Sequence, residues 1–482
     1  MLRRRNNFQE RYDQFLQELR DEIVSGGIPP GEYILPENAL SVKYEISRVS
    51  IRKALTELVE DGLIEKIAGK GNRVKLPDQD HTPVTLRLAW FSSSYEIDII
   101  RRIVDAFEHK HPFVKVEITL LPEDGYTNSV IHMMDQKQGP DVCMISDSHY
   151  REWLDSGKTE HLTGYVPSHL NPEETSYPQV FDIFSREGKL LAAPFIFSPV
   201  VICFNRSIFR ENGLSEETPL VDWEDLLRVA KQCTRDLNGD GIVEQYGFCF
   251  SSSSNRWPVF LFQNDGEIMA ADRSHCTMAN EENIQALEFC TSLMYKHQVS
   301  PIYAHGSSHL AESLFMKERV AMIMTTYYFM NEFRDHSIEW DVLPVPQQRK
   351  QATLLLGGGL AVNANSEHTR LAERLVDFMT GVEAQTLLKT YGCTIPVLKS
   401  VAEDDSLLHP DIHPQHYNRF LDVLPYARPL HSLNLNQSEI VTLYDELNLL
   451  WACMESPEET CRRIEDKFNQ SLKEQREKEP IT

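Results

Sequence analysis

Residues 47 to 55 read Ser-Arg-Val-Ser-Ile-Arg-Lys-Ala-Leu, and this stretch decides the fold of the N-terminal part of the chain. Arg48 and Arg52 are four residues apart, so both lie on one face of a helix. An apolar stripe on another face comprises Ile51, Leu55, Leu58 and Val59. Ser47 is a suitable N-cap, and Gly62 stands where such a helix would end. The stretch therefore predicts a helix that packs through its apolar face and leaves a basic face able to read DNA.

The segments on either side of this helix complete a small domain. Upstream, apolar residues recur at three- and four-residue spacings from Tyr12 to Val24, which predicts an amphipathic helix that stops at Ser25-Gly26-Gly27. A second, short helix is predicted over residues 38–44. Downstream, residues 63–67 and 72–76 alternate around a glycine turn, as the strands of a hairpin do. Three helices and a hairpin predict an α+β winged helix-turn-helix domain over residues 1–76.

The order of these motifs closely resembles the GntR family of transcription regulators. The matching motifs are Pro29-Pro30-Gly31, Leu35-Pro36, Ser47-Arg48 with Arg52, Asp61-Gly62-Leu63-Ile64 and Gly69-Lys70-Gly71. The resemblance implies that Arg48 and Arg52 read bases or phosphates in the major groove, and that the wing glycines approach the minor groove. The chain departs from the family where Leu35-Pro36 runs directly into Glu37-Asn38, because the family usually has one more residue there. Asn38 falls where many relatives carry a third DNA-reading arginine. The predicted DNA-contacting residues are Asn38, Ser47, Arg48, Ser50, Arg52, Lys53, Gly69, Lys70 and Gly71.

Length and charge predict that this head is attached to a different kind of body. At 482 residues the chain exceeds what one hydrophobic core usually serves, so several domains are expected. Residues 1–77 contain 13 Lys and Arg against 12 Asp and Glu, and the later residues account for −25 of the total charge of −24. Such an acidic body does not bind DNA over its whole surface. Any contact with operator DNA must therefore come from the head.

The N-terminus and the cysteines favour a cytoplasmic protein. The basic residues after Met1 are followed by Phe8-Gln-Glu-Arg-Tyr-Asp-Gln rather than by the apolar core of a secretion signal. The nine cysteines include no Cys-x-x-Cys pair, which fits a reducing compartment better than a disulfide framework or a structural zinc. No stretch approaches the roughly 20 apolar residues of a membrane helix.

A second domain is predicted after a polar, proline-bounded linker at residues 77–83. Strand-like and helix-like segments alternate from Val84 onwards, as in parallel βαβ units. The predicted strands cover residues 84–90, 114–120 and 141–145, and the predicted helices residues 99–109 and 126–134. Ligands of such sheets bind beyond the carboxyl ends of the strands.

The region from about residue 84 to 400 resembles the family-1 extracellular solute-binding proteins, the sugar receptors of ABC importers. The landmarks include residues 103–112, Gly139-Pro-Asp-Val142, residues 187–194, Phe204-Asn205-Arg206, Asp222-Trp223-Glu224, Gln245-Tyr246-Gly247-Phe248, residues 315–324, Gly357-Gly-Gly359 and Ile395-Pro396. The resemblance implies a two-lobed α/β periplasmic-binding-protein-like (type II) fold over residues 84–482. One crossing between the lobes is expected near residues 194–204, and a C-terminal helix is expected around residues 443–454. Trp223 is structural in the resembled family.

A sugar site needs flat aromatic faces and convergent polar groups. The candidate stacking residues are Trp90, Trp257, Tyr327 and Tyr328, and the candidate polar residues are Ser92, Ser93, Asp147 and Gly358. Each follows a predicted strand or lies in a segment that lines the cleft in the resembled family. Core packing is the alternative for each aromatic side chain.

An acidic loop at residues 236–247 is a candidate calcium site. Asp236, Asn238, Asp240, Ile242 and Glu244 alternate, with Gly241 at the sixth position, as in calcium-binding loops. The twelfth position is Gly247 instead of the usual bidentate Glu. The alternative is a turn rich in Asp and Asn that holds no ion. Any ion here would be structural, and no other cofactor is required.

The prediction is a cytoplasmic, non-enzymatic regulator that binds operator DNA as a homodimer and senses a small sugar or oligosaccharide. A pyridoxal-phosphate protein with an aminotransferase-like body is one alternative, although no suitable Schiff-base lysine context is present. A transport receptor is another, and a body that has lost its ligand and serves only as a dimerisation scaffold is a third.

Overall fold

The computed structural model describes residues 2–76, 83–186, 188–253, 255–302 and 310–478. Most of the predicted linker, residues 77–82, lies outside this range. The chain folds into two compact units, and the first contains the head together with the first α/β segments. Unit 1 comprises Met1–Met144, Glu160–Pro167 and Leu360–Ala384, and unit 2 comprises Ile145–Thr159, Ser168–Gly359 and Gln385–Thr482.

The head has the three helices and the hairpin that the sequence predicts. They are α1 (Leu2–Val24), α2 (Glu37–Lys43), α3 (Arg48–Glu60), β1 (Ile64–Ile67) and β2 (Gly71–Val74). The two strands pair in antiparallel fashion from Ile64↔Val74 to Ile67↔Gly71. Phe15, Leu19, Ile51 and Leu58 are completely or almost completely buried and form the centre of the small core. The winged helix-turn-helix is therefore confirmed.

The middle of the chain alternates strands and helices. In order, its elements are β3 (Val84–Phe91), α4 (Ile97–Lys110), β4 (Val114–Leu121), α5 (Tyr126–Asp135), β5 (Val142–Ser146), α6 (Asp147–Ser156), β6 (Leu162–Thr163), α7 (Pro178–Asp182), β7 (Ser185–Arg186), β8 (Lys189–Leu190), β9 (Ala193–Asn205), α8 (Arg206–Glu211), α9 (Trp223–Cys233) and β10 (Tyr246–Cys249). The predicted strands and helices between residues 84 and 145 agree with these bounds to within a few residues.

The remainder of the chain is mainly helical. Its elements are α10 (Pro258–Gln263), α11 (Glu281–Tyr295), α12 (Leu310–Met316), β11 (Val320–Thr326), β12 (Trp340–Leu343), β13 (Thr353–Asn363), α13 (Thr369–Met379), α14 (Val382–Tyr391), β14 (Ile395–Pro396), α15 (Lys399–Ala402), α16 (Arg419–Asp422), β15 (Ala427–Pro429), α17 (Gln437–Glu446), α18 (Asn448–Trp451) and α19 (Pro457–Lys478). The single helix predicted around residues 443–454 is instead the end of α17 followed by α18. Among the described residues, no helix is long and apolar enough to span a membrane.

The sheet of unit 1 is built on β3. This strand pairs in parallel with β4 along its whole length, from Val84↔Val114 to Phe91↔Leu121, and also in parallel with β5. The helix α4 covers the sheet with Ile99, Ile103 and Phe107, all of which are buried. Parallel pairing brings the carboxyl ends of β3 and β4 to one edge, which is where the polar residues of the predicted ligand site begin.

The sheet of unit 2 is built on β9, whose residues are all buried. It pairs in antiparallel fashion with β11, β12 and β14, while β10 pairs in parallel with β11. All of β9 lies within unit 2, and the crossing between lobes expected near residues 194–204 stays a prediction. A continuous apolar run predicts a buried strand but does not identify its partners.

The helix α9 approaches β10 closely at Gly247. Asp222 caps α9 by accepting a hydrogen bond from the Asp225 amide (2.9 Å), and Trp223 is buried in the core, which agrees with its expected structural role. A Cβ atom on Gly247 would lie 1.9 Å from the carbonyl oxygen of Ala230. This position therefore requires glycine, which explains why the acidic loop before it has no carboxylate at its twelfth residue.

The substitution Gly247→Ala should destabilise unit 2 by about 3 kcal/mol, because backbone atoms rather than a movable side chain block the methyl group. Gly213→Ala is the matched control: Gly213 has a φ of +68° but no described atom within 4 Å of the place that an added methyl group would occupy, so only backbone strain of about 1–2 kcal/mol is expected. Urea unfolding followed by tryptophan fluorescence measures both. Equal destabilisation by the two variants would contradict the close approach.

Candidate functional site

The exposed face of α3 is positioned by its cap and its buried face. The Ser47 hydroxyl oxygen accepts a hydrogen bond from the Ser50 amide (3.2 Å), so the predicted N-cap is confirmed and the helix begins at Arg48. Ile51 and Leu55 are buried, whereas Val59, expected in the same stripe, is 38% exposed. Val59 lies too far around the helix to enter the core. Arg48, Arg52 and Lys53 are exposed.

Arg52 is held by the carboxylate of Glu37, which was not among the predicted site residues. Its Nε donates to Glu37 Oε1 (3.2 Å) and its Nη2 donates to Glu37 Oε2 (2.8 Å), which is the two-pronged geometry of a guanidinium on a carboxylate. The hydrogen bond from Arg52 lowers the pKa of Glu37. The Arg52 side chain remains 65% exposed, so its position is fixed while its surface stays open. Glu37 directly follows Leu35-Pro36, where the chain lacks the family's extra residue.

The wing tip and α2 present the remaining predicted DNA contacts. Gly69 and Gly71 have φ values of +74° and +109°, a conformation that favours glycine. Lys70 between them and Asn38 in the first turn of α2 are both exposed. The head thus carries every predicted contact residue on exposed or partly exposed positions, and their contact with DNA remains a prediction.

In unit 1, the predicted polar ligand residues lie at the carboxyl ends of β3 and β4. Ser92 and Ser93 are exposed, and the Ser93 hydroxyl donates to the carboxylate of Glu123, which follows β4. Glu123 was missed because the sequence does not show that the two strand ends are neighbours. Trp90, in contrast, is completely buried within β3. In this conformation its ring has no face open to a ligand.

In unit 2, two of the predicted stacking residues are in the interior. Trp257 is 1% exposed and packs edge-on against Trp451, with ring centroids 6.1 Å apart. Tyr327 is fully buried, its ring 4.5 Å from that of Phe420 and its amide donating to Ser198 Oγ (2.8 Å). These rings pack in cores, and stacking on a ligand would require another conformation. Tyr328 is partly buried, and Gly358 is buried in β13.

Asp147 lies beside a cavity of about 400 Å³ within unit 2. Its Oδ2 accepts a hydrogen bond from Arg151 Nη1 (3.0 Å), and Arg151, which is 6% exposed, lines the cavity. The other lining residues are Tyr150, Leu154, Asp155, Ser185, Arg273, His431, Asn434, Leu435 and Asn436. Asp147 was a predicted ligand residue, whereas Arg151 and His431 were not, because the cavity joins segments that are far apart in the sequence.

The basic side chains that line this cavity each have a carboxylate partner. Arg151 pairs with Asp147, and Arg273 donates to both oxygens of Glu439 (2.7 and 3.0 Å). His431 lies 3.4 Å from Asp182, and burial lowers the pKa of its imidazole. The cavity therefore offers many donors and acceptors without a surplus of positive charge, which suits an uncharged polar ligand better than an anion.

A larger cavity of about 1010 Å³ lies beside β9 and α8 in unit 2. Its arginines are also paired: Arg206 donates to Asp341 (2.5 Å), and Arg210 bonds Glu339. None of the predicted ligand residues lines this cavity.

A buried ion pair lies at the carboxyl edge of β10 and β11. Arg256 and Glu312 are 2% and 1% exposed, with 3.9 Å between their charged groups. Glu312 Oε1 accepts a hydrogen bond from Thr325 Oγ1 (2.5 Å), and the Arg256 guanidinium lies 5.0 Å from the Phe329 ring centroid. The serine-rich loop before Trp257 indicated this region, and Trp257 was the predicted residue there, whereas Arg256 beside it was not.

The acidic loop brings oxygen atoms of Asp236, Asp240 and Glu244 within 4.8 Å of one another. Asp236 accepts hydrogen bonds from the amides of Gly239 (2.6 Å) and Gly241 (2.7 Å), which lower the pKa of its carboxyl group. Glu244 accepts from Asn238 Nδ2 (2.7 Å). These bonds also suit the alternative of a turn without an ion, so calcium binding by these residues and Ile242 stays a prediction.

Two protein families match separate parts of the chain. The model of the bacterial regulatory proteins of the gntR family matches residues 11–74. The model of the bacterial extracellular solute-binding proteins matches residues 102–413. The two matched ranges correspond to the head and to most of the body.

Individual relatives divide in the same way. An arabinooligosaccharide-binding protein of Halalkalibacterium halodurans is 21% identical over 300 residues, which cover 59% of this chain and 64% of that protein. The mannosyl-D-glycerate transport/metabolism system repressor of Escherichia coli is 39% identical over 64 residues, 13% of this chain and 27% of the repressor. The chain thus spans less than two thirds of either relative.

A solved structure shows the fold of the body. An ABC substrate-binding protein of Listeria monocytogenes, determined in complex with cycloalternan, superposes with a TM-score of 0.69 at 21% identity, over 81% of this chain and all of that one. At this identity the likeness establishes the two-lobed fold, while the ligand belongs to that protein.

Removal of one partner of the buried ion pair should be costly. Glu312→Ala leaves the Arg256 guanidinium buried without its carboxylate and should destabilise unit 2 by about 3–5 kcal/mol. The double variant Arg256→Met with Glu312→Leu replaces both charges by apolar groups and should lose much less. Urea unfolding of the full chain measures both, and a double variant less stable than Glu312→Ala would contradict full desolvation of the pair.

Proposed function

The chain belongs to the bacterial extracellular solute-binding protein family and begins with a gntR-family regulatory domain, and from this premise we propose that it is a regulator whose DNA affinity is controlled by a carbohydrate. The observation that carries the proposal is the presence of both modules in one chain: a reading helix with an exposed basic face, and a receptor body. Because the proposed partner is operator DNA, the proposed location is the bacterial cytoplasm. We propose no enzymatic step.

The geometry supports separate roles for the two modules, with DNA binding assigned to the head and not to the body. The acidic body repels DNA, so binding falls to α3, the first turn of α2 and the wing. Arg48 and Arg52 lie on the face of α3 that enters the major groove, where arginine pairs with the two acceptors of guanine. Two heads in a homodimer would read the half-sites of a pseudo-palindromic operator.

The cavity beside Asp147 supports a neutral, hydroxyl-rich ligand. Its arginines are already neutralised by carboxylates, and the other lining residues supply two amides, two hydroxyls and an imidazole beside Leu154, Leu435 and the carboxylate of Asp155. The named relatives of the body bind carbohydrates, and the named relative of the head regulates a carbohydrate system. Such a ligand controls DNA binding when its affinity differs between two conformations of the dimer. The ligand relieves repression if it favours the conformation that does not bind DNA. It promotes DNA binding if it favours the conformation that does.

The DNA-binding part is tested on a duplex that the unmodified protein selects from a random pool. Arg52→Ala should weaken binding to this duplex by about 1–3 kcal/mol, roughly 5- to 150-fold, because a two-pronged base contact is lost. Lys70→Ala should reduce the salt dependence of binding by about one charge. Arg462→Ala is the control, since Arg462 is an exposed arginine paired with Glu458 on α19. Equal losses for Arg52→Ala and Arg462→Ala would contradict the assignment.

The receptor part is tested by thermal unfolding across a panel of mono- and oligosaccharides. A saccharide at about 100 times its dissociation constant should stabilise the protein by about 2.7 kcal/mol. Asp147→Asn should abolish this shift. Asp98→Asn, a substitution of the same kind at an exposed residue of α4, should preserve it. Absence of a shift with every saccharide would favour another ligand class or a scaffold role for the body.

A further inference from the structure

The C-terminal end of α1 contacts the first α/β segments of unit 1 through a tight turn. Gly26 has a φ of +73°, and the turn is closed by hydrogen bonds from the Gly26 amide to Ile23 O (3.1 Å) and from the Ile28 amide to Glu22 O (2.9 Å). Ser25, within the turn, is only 7% exposed. Residues that end a helix on an isolated domain are usually open to solvent, so the burial indicates that another surface covers them.

That surface is His111, the residue at which α4 ends. A Cβ atom placed on Gly26 would lie 2.7 Å from His111 Nδ1 and 2.9 Å from Cε1. The ring cannot swing away freely, because it packs on Phe107 with centroids 4.3 Å apart and its own amide donates to Phe107 O (2.9 Å). Gly26 is therefore the residue that allows the head and the α/β segment to meet at this point.

The ring is suited to this contact in its neutral form. Burial lowers the pKa of His111, the nearby charges of Arg374 and Lys110 lower it further, and the backbone of Ser25 acts in the opposite direction. A neutral imidazole packs against a buried turn at lower desolvation cost than a charged one.

Two further features restrict the orientation of the head relative to the first α/β segments. Asp21 of α1 lies 3.8 Å from Arg370 of α13, on the same side of unit 1. The chain also returns to this region at the start of β3. Val84 pairs with Val114, three residues after His111, and the Val84 amide donates to Phe113 O (2.9 Å). A tether alone would let the head rotate, whereas a tether and a packed contact together restrict its orientation.

We propose that this contact, the Gly26 seat (Asp21, Ser25, Gly26, His111 and Arg370), fixes the DNA-reading head to the first α/β segments so that the two move as one body. Under the proposed function, on which this step rests, the seat is how a conformational change in the receptor body reaches the reading helix. The partner of the head's α1 is thus the end of α4 in the same chain, rather than an external protein.

Hydrogen exchange of the full-length protein, measured by mass spectrometry without any ligand, tests the seat. Gly26→Ala should raise amide exchange in residues 107–116 about tenfold, because the added methyl group forces the His111 contact apart. Gly62→Ala is the matched control: Gly62 has a φ of +74°, yet no described atom lies within 4 Å of the point where its added methyl group would sit. It should strain the head equally and leave residues 107–116 unchanged. Equal exchange there in both variants would overturn the seat.

A variant on the other side of the contact separates loosening of the seat from unfolding of the head. His111→Ala leaves every head residue intact and should raise exchange in residues 19–28. In the Gly26→Ala background, His111→Ala should add little, because the contact is already broken. Additive effects of the two substitutions would show that Gly26 and His111 act independently and would overturn the proposal.

The regulatory role has its own readout. With a saccharide found by thermal unfolding, Gly26→Ala should bind the selected duplex as the unmodified protein does, but its response to the saccharide should fall at least about fivefold, within the usual range of coupling between sites. A full response in Gly26→Ala would overturn the role of the seat in regulation. If no saccharide alters DNA binding by the unmodified protein, effector control fails, and the exchange data alone decide whether the seat exists.

Discussion

The larger unit depends on the burial of β9, a strand of thirteen residues that are all buried. Its backbone N–H and C=O groups therefore need hydrogen-bond partners within the protein. The strands β11, β12 and β14 supply partners along its length, and the Thr353 hydroxyl donates to Val200 O (2.6 Å). This requirement orders the neighbouring strands. Because β11 pairs with β9 and β10 pairs with β11, the position of β9 also sets the position of these two parallel strands. The Arg256–Glu312 pair lies at their carboxyl edge.

The head could be predicted almost completely because its determinants are local. The Ser47 cap, the glycines of the wing and the apolar spacing of α1 each act over a few residues. The βαβ pattern after residue 84 was likewise visible in short windows of sequence. Strand partners were not, since they join distant segments. The sequence around residues 194–204 accordingly gave no sign that β9 would pair with β11, β12 and β14.

The candidate ligand residues show where position in sequence stops being informative. Trp90 lies in β3, Tyr327 directly follows β11 and Trp257 directly precedes α10, but the direction of each side chain depends on what packs around it. Polar residues that complete the sites were missed because their partners are remote: Arg151 bonds Gln437 (3.0 Å), and Ser93 bonds Glu123. Glu37 was missed for the opposite reason. It stood beside a recognised motif, yet nothing in the motif indicated that it would hold Arg52.

The pairing of Arg52 with Glu37 has a consequence for how the head discriminates among DNA sequences. Glu37 occupies two of the five N–H groups of this guanidinium, through Nε and Nη2, and leaves the other three open. Under the proposed function, these remaining N–H groups would face the two acceptors of guanine in a fixed orientation. The carboxylate would thus orient the arginine and offset its charge toward phosphates. Loss of this one acidic group would free the arginine to turn toward any nearby phosphate, so the head would hold any duplex more tightly and tell duplexes apart less well.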